Sequence, residues 1–187
     1  MSAIINSITQ LDLDILLYIQ DNLRFDFLTP IMKFITMLGD KGIFWLALAV
    51  ILLIPEKTRR SGAMAIISIG IGFVVANLIL KNAVARIRPY EVEPALQLLV
   101  AKAHDFSFPS GHACCSFASA MIYVRTLKKP WGVLTLILAI LISYSRLYVG
   151  IHYPSDVIVG ILVGIVSSVV TFQLFKLSGR GSASRKR

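Results

Sequence analysis

Residues 145–156 combine side chains that can act together on a phosphate ester. The segment places Arg146 six positions before His152, and Asp156 four positions after that histidine. If a helix begins near Pro154, the carboxylate can accept a hydrogen bond from one ring nitrogen and leave the other facing a ligand. The arginine would supply two parallel donors for phosphate oxygens. The pattern favours nucleophilic chemistry by the histidine.

A second cluster reads Pro109-Ser110-Gly111-His112 and opens an apolar segment. Ser110 is a favourable N-cap, and Gly111 lets another group approach the backbone closely. The start of a helix has unpaired amide groups and the positive end of the helix dipole, which suits an anion. His112, near this start, could donate a proton to a leaving group.

A third cluster contains Lys81 and Arg88, followed by Pro89. The two cations are seven residues apart, so they share a face if the helix continues to the proline. With Arg146 they provide about three positive charges, the number that a phosphate or diphosphate partly withdrawn from water requires.

Metal-ligand spacing is not found near these clusters, so a site without metal or cofactor is expected. The acidic and histidine residues of the intervening loop are Glu91, Glu93, His104 and Asp105.

The composition requires a membrane. Of 187 residues, 56% are hydrophobic, and residues 61–80 carry no charge. A bilayer core of about 30 Å is crossed by roughly 20 such residues in a helix. The sequence therefore predicts an all-α, polytopic transmembrane helical bundle of five spans. The predicted spans are residues 27–54, 61–80, 110–127, 131–145 extending toward 148, and 157–175.

The distribution of charge predicts the topology. The net charge is +9, and eleven Lys/Arg but only one acidic residue fall in residues 55–60, 125–130 and 176–187. The positive-inside rule places these segments in the cytoplasm. Alternating spans then bring all three clusters to the non-cytoplasmic face of a multi-pass protein of the bacterial inner or plasma membrane. Topology accounts for the basic charge, and no nucleic-acid partner is predicted.

The N-terminal residues 1–26 lack the basic start of a signal peptide, because the first Lys or Arg is Arg24. Apolar residues recur at helical spacing and acidic residues interrupt them, which predicts an amphipathic interfacial helix, with a sixth span as the alternative. Residues 27–176 form the transmembrane domain, where two short helices broken at Gly39 are left open for 27–54. Residues 177–187 are expected to be a disordered, basic cytoplasmic tail.

In order, the clusters spell Lys-x6-Arg-Pro, Pro-Ser-Gly-His and Ser-Arg-x5-His-x3-Asp, between residues 81 and 156. This tripartite pattern resembles the type 2 phosphatidic acid phosphatase superfamily. The same signature occurs in undecaprenyl diphosphate phosphatases, phosphatidylglycerophosphate phosphatases, glucose-6-phosphatase and vanadium haloperoxidases. Every position of the signature is filled, so the joint pattern is highly specific.

The resemblance implies a helical bundle and a two-step phosphoryl transfer. His152 would attack phosphorus to give a phosphohistidine while Asp156 holds its ring, and His112 would protonate the leaving oxygen and later help to activate water. The remaining signature positions would bind the phosphoryl oxygens. These positions are Lys81, Arg88, Ser110, Gly111 and Arg146.

The expected substrate is a phosphate monoester or diphosphate of a membrane lipid. Undecaprenyl diphosphate comes first, and phosphatidate or phosphatidylglycerophosphate follows closely. A group of undecaprenyl diphosphate phosphatases has Asp where this chain has Gly111, which weakens the diphosphate assignment without removing it.

Three other functions are weighed against hydrolysis. A lipid phosphotransferase would pass the phosphoryl group to another lipid, whereas a haloperoxidase would require vanadate and is expected to be soluble. A non-catalytic lipid-phosphate transporter would line a path across the bilayer with charges, but here the charges collect at one surface. Gly160 and Gly164 form a small-residue face for helix packing or for a homodimer, and both readings stay open.

Overall fold

The computed structural model describes residues 2–184, with side chains described over 6–178, and all regular structure in that part of the chain is helical. The predicted all-α class is confirmed. The helices are α1 (Ser2–Leu23), α2 (Thr29–Leu38), a 3₁₀ turn (Asp40–Gly42), α3 (Ile43–Leu53), α4 (Glu56–Phe73), a π-helix (Val74–Leu80), α5 (Lys81–Val84), α6 (Pro89–Val92), α7 (Gly111–Thr126), α8 (Lys129–Tyr148) and α9 (Pro154–Ser184).

Helix α7 lies at the centre of the bundle and packs against α4, α8 and α9. Its buried positions are mainly small residues, which lets neighbouring backbones come close. A Cβ atom at Gly160 would lie 2.5 Å from the carbonyl oxygen of Ser110, and one at Gly164 would lie 2.5 Å from that of Cys114. Of the two readings for this glycine face, the structure therefore supports helix packing within the chain.

Several of the described helices are long and apolar enough to cross a membrane. They are the segments Glu56–Val92, Lys129–Tyr148 and Pro154–Ser178, and the pair Thr29–Leu38 and Asp40–Leu53, bent by 42°, would be a fourth span. The remaining predicted span, residues 110–127, corresponds to α7, which is only 16 residues long. Because other helices surround α7, it does not need a long apolar surface of its own.

The first predicted span is broken, as the alternative with two short helices anticipates. Helix α2 ends at Leu38, and the chain passes through Lys41 with φ 51° and Gly42 with φ 68° before α3 begins. Positive φ angles cannot continue a right-handed helix, so the break is fixed by the backbone at these two residues.

Helix α1 is present, and its apolar positions divide between a buried face and an exposed row. The buried face carries Asp12, Leu13, Leu16 and Ile19, and it packs toward α8, α9 and Leu96. A second apolar row points outward and remains exposed. Its members are Ile8, Leu11, Ile15 and Tyr18. One face of α1 therefore covers the bundle, and on that face buried Asp12 finds polar partners in Arg86 and Ser155. The exposed row is left for the predicted membrane interface.

The C-terminal helix α9 extends to Ser184, so the backbone of 177–184 is helical where the sequence predicts a disordered tail. No proline follows Pro154 to end this helix. The last part of the predicted tail, residues 185–187, lies outside the described residues.

Candidate active site

His152 lies in the short connection between α8 and α9, and Asp156 lies in the first turn of α9. Nδ1 of His152 is 3.4 Å from Oδ2 of Asp156, which is the predicted i to i+4 pair. A carboxylate oxygen only accepts, so Nδ1 carries the proton and Nε2 keeps its lone pair. The arrangement leaves Nε2 as the basic nitrogen of a buried imidazole.

Asp156 is completely buried and accepts from more donors than the histidine. Nη1 of Arg86 donates to its Oδ1 at 2.8 Å, and the backbone N–H of Tyr153 donates to Oδ2 at 3.1 Å. The hydroxyl of buried Ser107 also donates to Oδ2. These donors hold the carboxylate ionised and fix its orientation toward His152.

Arg86 also connects this carboxylate to α1. Its Nη2 lies 2.8 Å from Oδ2 of Asp12, and the other carboxylate oxygen of Asp12 accepts from the backbone N–H of Ser155 at 3.0 Å. The guanidinium lies over the ring of Tyr153, 3.6 Å from its centroid. The N-terminal helix thus contributes a buried carboxylate to the support of the His152–Asp156 pair.

The electrostatic surroundings keep His152 neutral. Burial lowers the pKa of His152 from its ordinary value of 6.5 to about 3, the hydrogen bond to Asp156 opposes this, and the nearby cations Arg146 and Arg88 lower the pKa further. A neutral imidazole is the form that can act as a nucleophile.

The start of α7 supplies the second histidine. Oγ of Ser110 accepts from the backbone N–H of Ala113 at 3.4 Å, as expected for an N-cap, and the Ser110 N–H donates to the carbonyl of Asp156 at 3.0 Å. The second hydrogen bond ties the starts of α7 and α9 together. It brings His112 to the same end of the bundle as His152.

His112 has a carboxylate partner that the sequence did not suggest. Its Nε2 lies 2.9 Å from Oδ1 of Asp40, in the turn between α2 and α3. A Cβ atom at the preceding Gly39 would lie 2.5 Å from Cδ2 of the His112 ring, so only glycine lets this turn approach. The break in the first apolar segment therefore has a function in placing Asp40.

Lys81 and Arg88 do not share one helix face, because the helix ends at Val84 and Ala85 adopts φ 49°. They meet instead at Asp105 of the following loop. Nζ of Lys81 lies 2.5 Å from Oδ2 of this carboxylate, and Nη2 of Arg88 lies 2.6 Å from Oδ1. The helix does not continue to Pro89, but the two cations still lie against one carboxylate.

Arg88 is buried, and the protein itself engages its donors. Nη1 donates to the carbonyl of Ile151 at 2.9 Å, next to His152, and Nε donates to the carbonyl of Asp105 at 2.9 Å. Asp105 remains half exposed at the mouth of the site. Burial alone would raise the pKa of Asp105, but Lys81 and Arg88 outweigh it and lower the pKa to about 2. The carboxylate occupies donors that a phosphate would use.

Arg146 lies at the end of α8 and is buried. Its Nη1 donates to Oγ1 of Thr36 at 2.5 Å, whereas its Nε has no partner among the described residues. A buried guanidinium with an unpaired N–H costs free energy unless a ligand accepts from it.

One cavity of about 1500 Å³ collects most of the predicted site. Of the eight predicted residues, six line it: Lys81, Arg88, Gly111, His112, Arg146 and His152. Ser110 and Asp156 lie behind this surface, the first as a cap and the second as the partner of His152. The cavity continues along an apolar wall. That wall includes Leu46, Ile66, Ile69 and Phe73.

Sequence reasoning missed five polar residues around the site: Asp12, Asp40, Arg86, Asp105 and Ser107. Asp12 left a signal in the sequence, because it interrupts the apolar spacing of the N-terminal helix. The structure shows that this carboxylate is buried. The others become site residues through contacts with residues 17 to 74 positions away, which sequence spacing does not encode.

Comparison with known proteins agrees with this geometry. A family model described as the PAP2 superfamily matches residues 57–180. This chain belongs to the PAP2 superfamily. The matched range contains all eight predicted site residues of the PAP2 signature.

Several individual relatives of this PAP2 protein carry the names of phosphatases. It is 36% identical over 147 residues to an undecaprenyl-diphosphatase of Sulfolobus acidocaldarius, covering 79% of this chain and 70% of the relative. Its fold matches LpxE of Aquifex aeolicus with a TM-score of 0.77 and 27% identity, over 87% of this chain and 95% of the other.

A second solved structure that matches is the first transmembrane PAP2 type phosphatidylglycerolphosphate phosphatase from Bacillus subtilis. The TM-score is 0.70 with 27% identity, over 94% of this chain and 88% of the other. These similarities support a membrane lipid phosphatase activity for this PAP2 protein.

Proposed function

We propose that this protein hydrolyses phosphate monoesters or diphosphates of membrane lipids, with undecaprenyl diphosphate as the first candidate substrate and phosphatidate or phosphatidylglycerophosphate next. The observation that carries the proposal is the cavity shared by His112, His152 and Arg146. Its polar end suits a phosphoryl group, and its apolar wall suits a lipid chain.

The proposed reaction has two steps. Nε2 of His152 attacks phosphorus and forms a P–N bond while the P–O bond to the leaving group breaks, and His112 gives its proton to the leaving oxygen. Water then attacks the phosphohistidine, His112 accepts a proton from it, and the P–N bond breaks to release orthophosphate. Asp156 stabilises the positive charge that develops on the His152 ring.

The phosphoryl oxygens are assigned to the cations and to the start of α7. Lys81, Arg88 and Arg146 stabilise the transferred group, with the Gly111 amide at the helix start and Ser110 as the cap that shapes it. Asp105 must release Lys81 and Arg88 when a phosphoryl group enters the site.

The proposed mechanism is metal-independent. The side chains that line the polar end of the cavity are mainly cations and imidazoles, and buried Asp156 already accepts from Arg86, Ser107 and Tyr153. The charge that a metal would supply is assigned to the three cations.

The membrane arrangement is also part of the proposal. Residues 27–176 form the catalytic domain with five spans, of which α7 is the enclosed one, and the site opens on the non-cytoplasmic face with the C-terminus in the cytoplasm. The exposed apolar row of α1, within residues 1–26, would lie in the outer interface of the membrane.

The test uses the purified protein in detergent with EDTA present and a panel of lipid monophosphates and diphosphates. We expect orthophosphate release, and rapid acid-free quenching with a phosphorus-labelled substrate should trap label on the protein as an acid-labile adduct. His152→Ala should abolish both signals. Lys129→Ala, at an exposed residue outside the lining of the cavity, serves as the control.

Different outcomes would overturn different parts of the proposal. Phosphate release by His152→Ala at a near-normal rate refutes the nucleophile, and loss of activity with EDTA refutes metal independence. A phosphorylated lipid acceptor without free orthophosphate would identify a phosphotransferase instead.

A further inference from the structure

Residues 61–80 carry no charge, and Asn77 is the one residue among them with a carboxamide side chain. It lies within the π-helix Val74–Leu80. Two other helical asparagines of this chain satisfy their amides locally. Asn22 donates to the carbonyl of Tyr18 at 3.0 Å, and Asn82 donates to that of Leu78 at 2.9 Å. Over the part of the chain with described side chains, the carboxamide of Asn77 makes no hydrogen bond.

The position of this free carboxamide is defined by Gly111. A Cβ atom at Gly111 would lie 3.0 Å from Oδ1 of Asn77 and 3.5 Å from its Nδ2, and Asn77 lines the same cavity as His112. The amide therefore stands beside the start of α7, where backbone N–H groups favour an anion. Asn77 lies within the π-helix, and π-helical segments are frequent at functional sites.

Asn77 lies deeper in the membrane segment than the cations. It precedes Lys81 by four residues, about one helical turn, and it is nearer the middle of the apolar stretch. Phe73 precedes Asn77 by another four residues and belongs to the apolar wall of the cavity. The order along this helix is thus cation, free carboxamide and apolar wall.

A lipid diphosphate presents the same order of chemistry. Its terminal phosphate carries most of the charge, its second phosphate is joined to the lipid, and the chain is apolar. The carboxamide of Asn77 lines the cavity with its donors unused by the described side chains, so it can donate to a bound ligand. A neutral donor suits the second phosphate, because a cation there would retain the lipid monophosphate after cleavage.

We infer that Asn77 binds the lipid-proximal phosphate of a diphosphate substrate and favours diphosphates over monophosphates. The inference rests on the proposed phosphatase function and assigns a substrate class to that site. Nδ2 donates to a non-bridging oxygen of the phosphate that leaves with the lipid. His112, in the first turn of α7, protonates the bridging oxygen between the two phosphates.

The test compares one lipid chain carried as a diphosphate and as a monophosphate, with release of orthophosphate from each. Asn77→Ala should lower kcat/KM for the diphosphate by about tenfold, since a hydrogen bond to a charged group is lost. The value for the monophosphate should change by less than about twofold. Asn22→Ala, which removes an exposed amide already bonded to the carbonyl of Tyr18 and outside the lining of the cavity, should leave both values within about twofold.

A second variant and an inhibitor protect the test against misfolding. Asn77→Asp keeps the shape but repels phosphate, so it should discriminate against the diphosphate more strongly than Asn77→Ala. Inhibition by inorganic pyrophosphate should weaken more than inhibition by orthophosphate in both variants.

The results separate the inference from the proposed function. Equal losses on the two substrates, or no loss on either, overturn the role of Asn77 while the wild-type phosphatase activity stands. Absence of phosphate release from every lipid by the wild-type protein would instead overturn the proposed function.

Discussion

Arg86 donates to Oδ1 of Asp156 at 2.8 Å, on the opposite side of the carboxylate from His152. The same guanidinium donates to Asp12 of the N-terminal helix at 2.8 Å. One cation therefore stands between two buried carboxylates, and it joins the fold of α1 to the orientation of the proposed nucleophile.

Arg86→Ala should destabilise the protein by about 3–5 kcal/mol, because it leaves two buried carboxylates without their cation. Thermal unfolding in detergent measures this, and phosphate release should fall as well. Lys57→Ala, at an exposed cation, is the control and should be nearly neutral. Adding Asp12→Asn to the alanine variant should recover part of the stability. An Arg86→Ala protein as stable as the wild type would contradict a stabilising role for the ion pairs of Arg86.

Asp105→Asn should strengthen inhibition by orthophosphate by about two- to fivefold. The carboxylate competes for Lys81 and Arg88, and its partial exposure keeps the effect modest. Inhibition constants measured against a lipid phosphate test this, with Asp26→Asn as a control at an exposed carboxylate. Weaker inhibition in Asp105→Asn would mean that the carboxylate organises the two cations for binding.

The neutral state of His152 should make stability depend on pH. In the unfolded chain the imidazole titrates near 6.5, whereas in the folded protein its pKa is about 3. Between these values only the unfolded chain binds the proton, so stability is complete above pH 6.5 and is lost toward pH 3. The slope is about 1.4 kcal/mol per pH unit within that window.

Unfolding of the wild type and of His152→Gln at pH 7.5 and pH 5 measures this contribution. The wild type should lose more stability than the variant on acidification, since His104 and His112 are common to both proteins. Identical losses would show that His152 is protonated in the folded state.

Gly164→Ala should destabilise the bundle by about 1–3 kcal/mol through overpacking. The added Cβ would lie 2.5 Å from the carbonyl oxygen of Cys114, a backbone atom that cannot rotate away. Gly70→Ala is the matched control, because a Cβ there meets no atom within 4 Å and alanine favours a helix. A lower melting temperature is expected for Gly164→Ala alone, and an unchanged value would argue against close packing of α7 and α9.

Local patterns along the chain determined the elements of this protein. Runs of apolar residues identify the membrane segments, Ser110 and Pro154 mark helix starts, and the spacing of His152 and Asp156 forms a hydrogen-bonded pair. These features depend on neighbours within a few residues, so a sequence is sufficient to predict them.

Only the tertiary structure decided which charged groups meet. Asp105 joins Lys81 to Arg88, and Arg86 reaches from Asp156 to Asp12, over separations that no periodicity encodes. The buried face of α1 was decided in the same way, since both of its apolar rows have helical spacing and the polar partners of Asp12 select one of them. Partner choice between distant residues depends on how the helices pack, and packing is a property of the whole bundle.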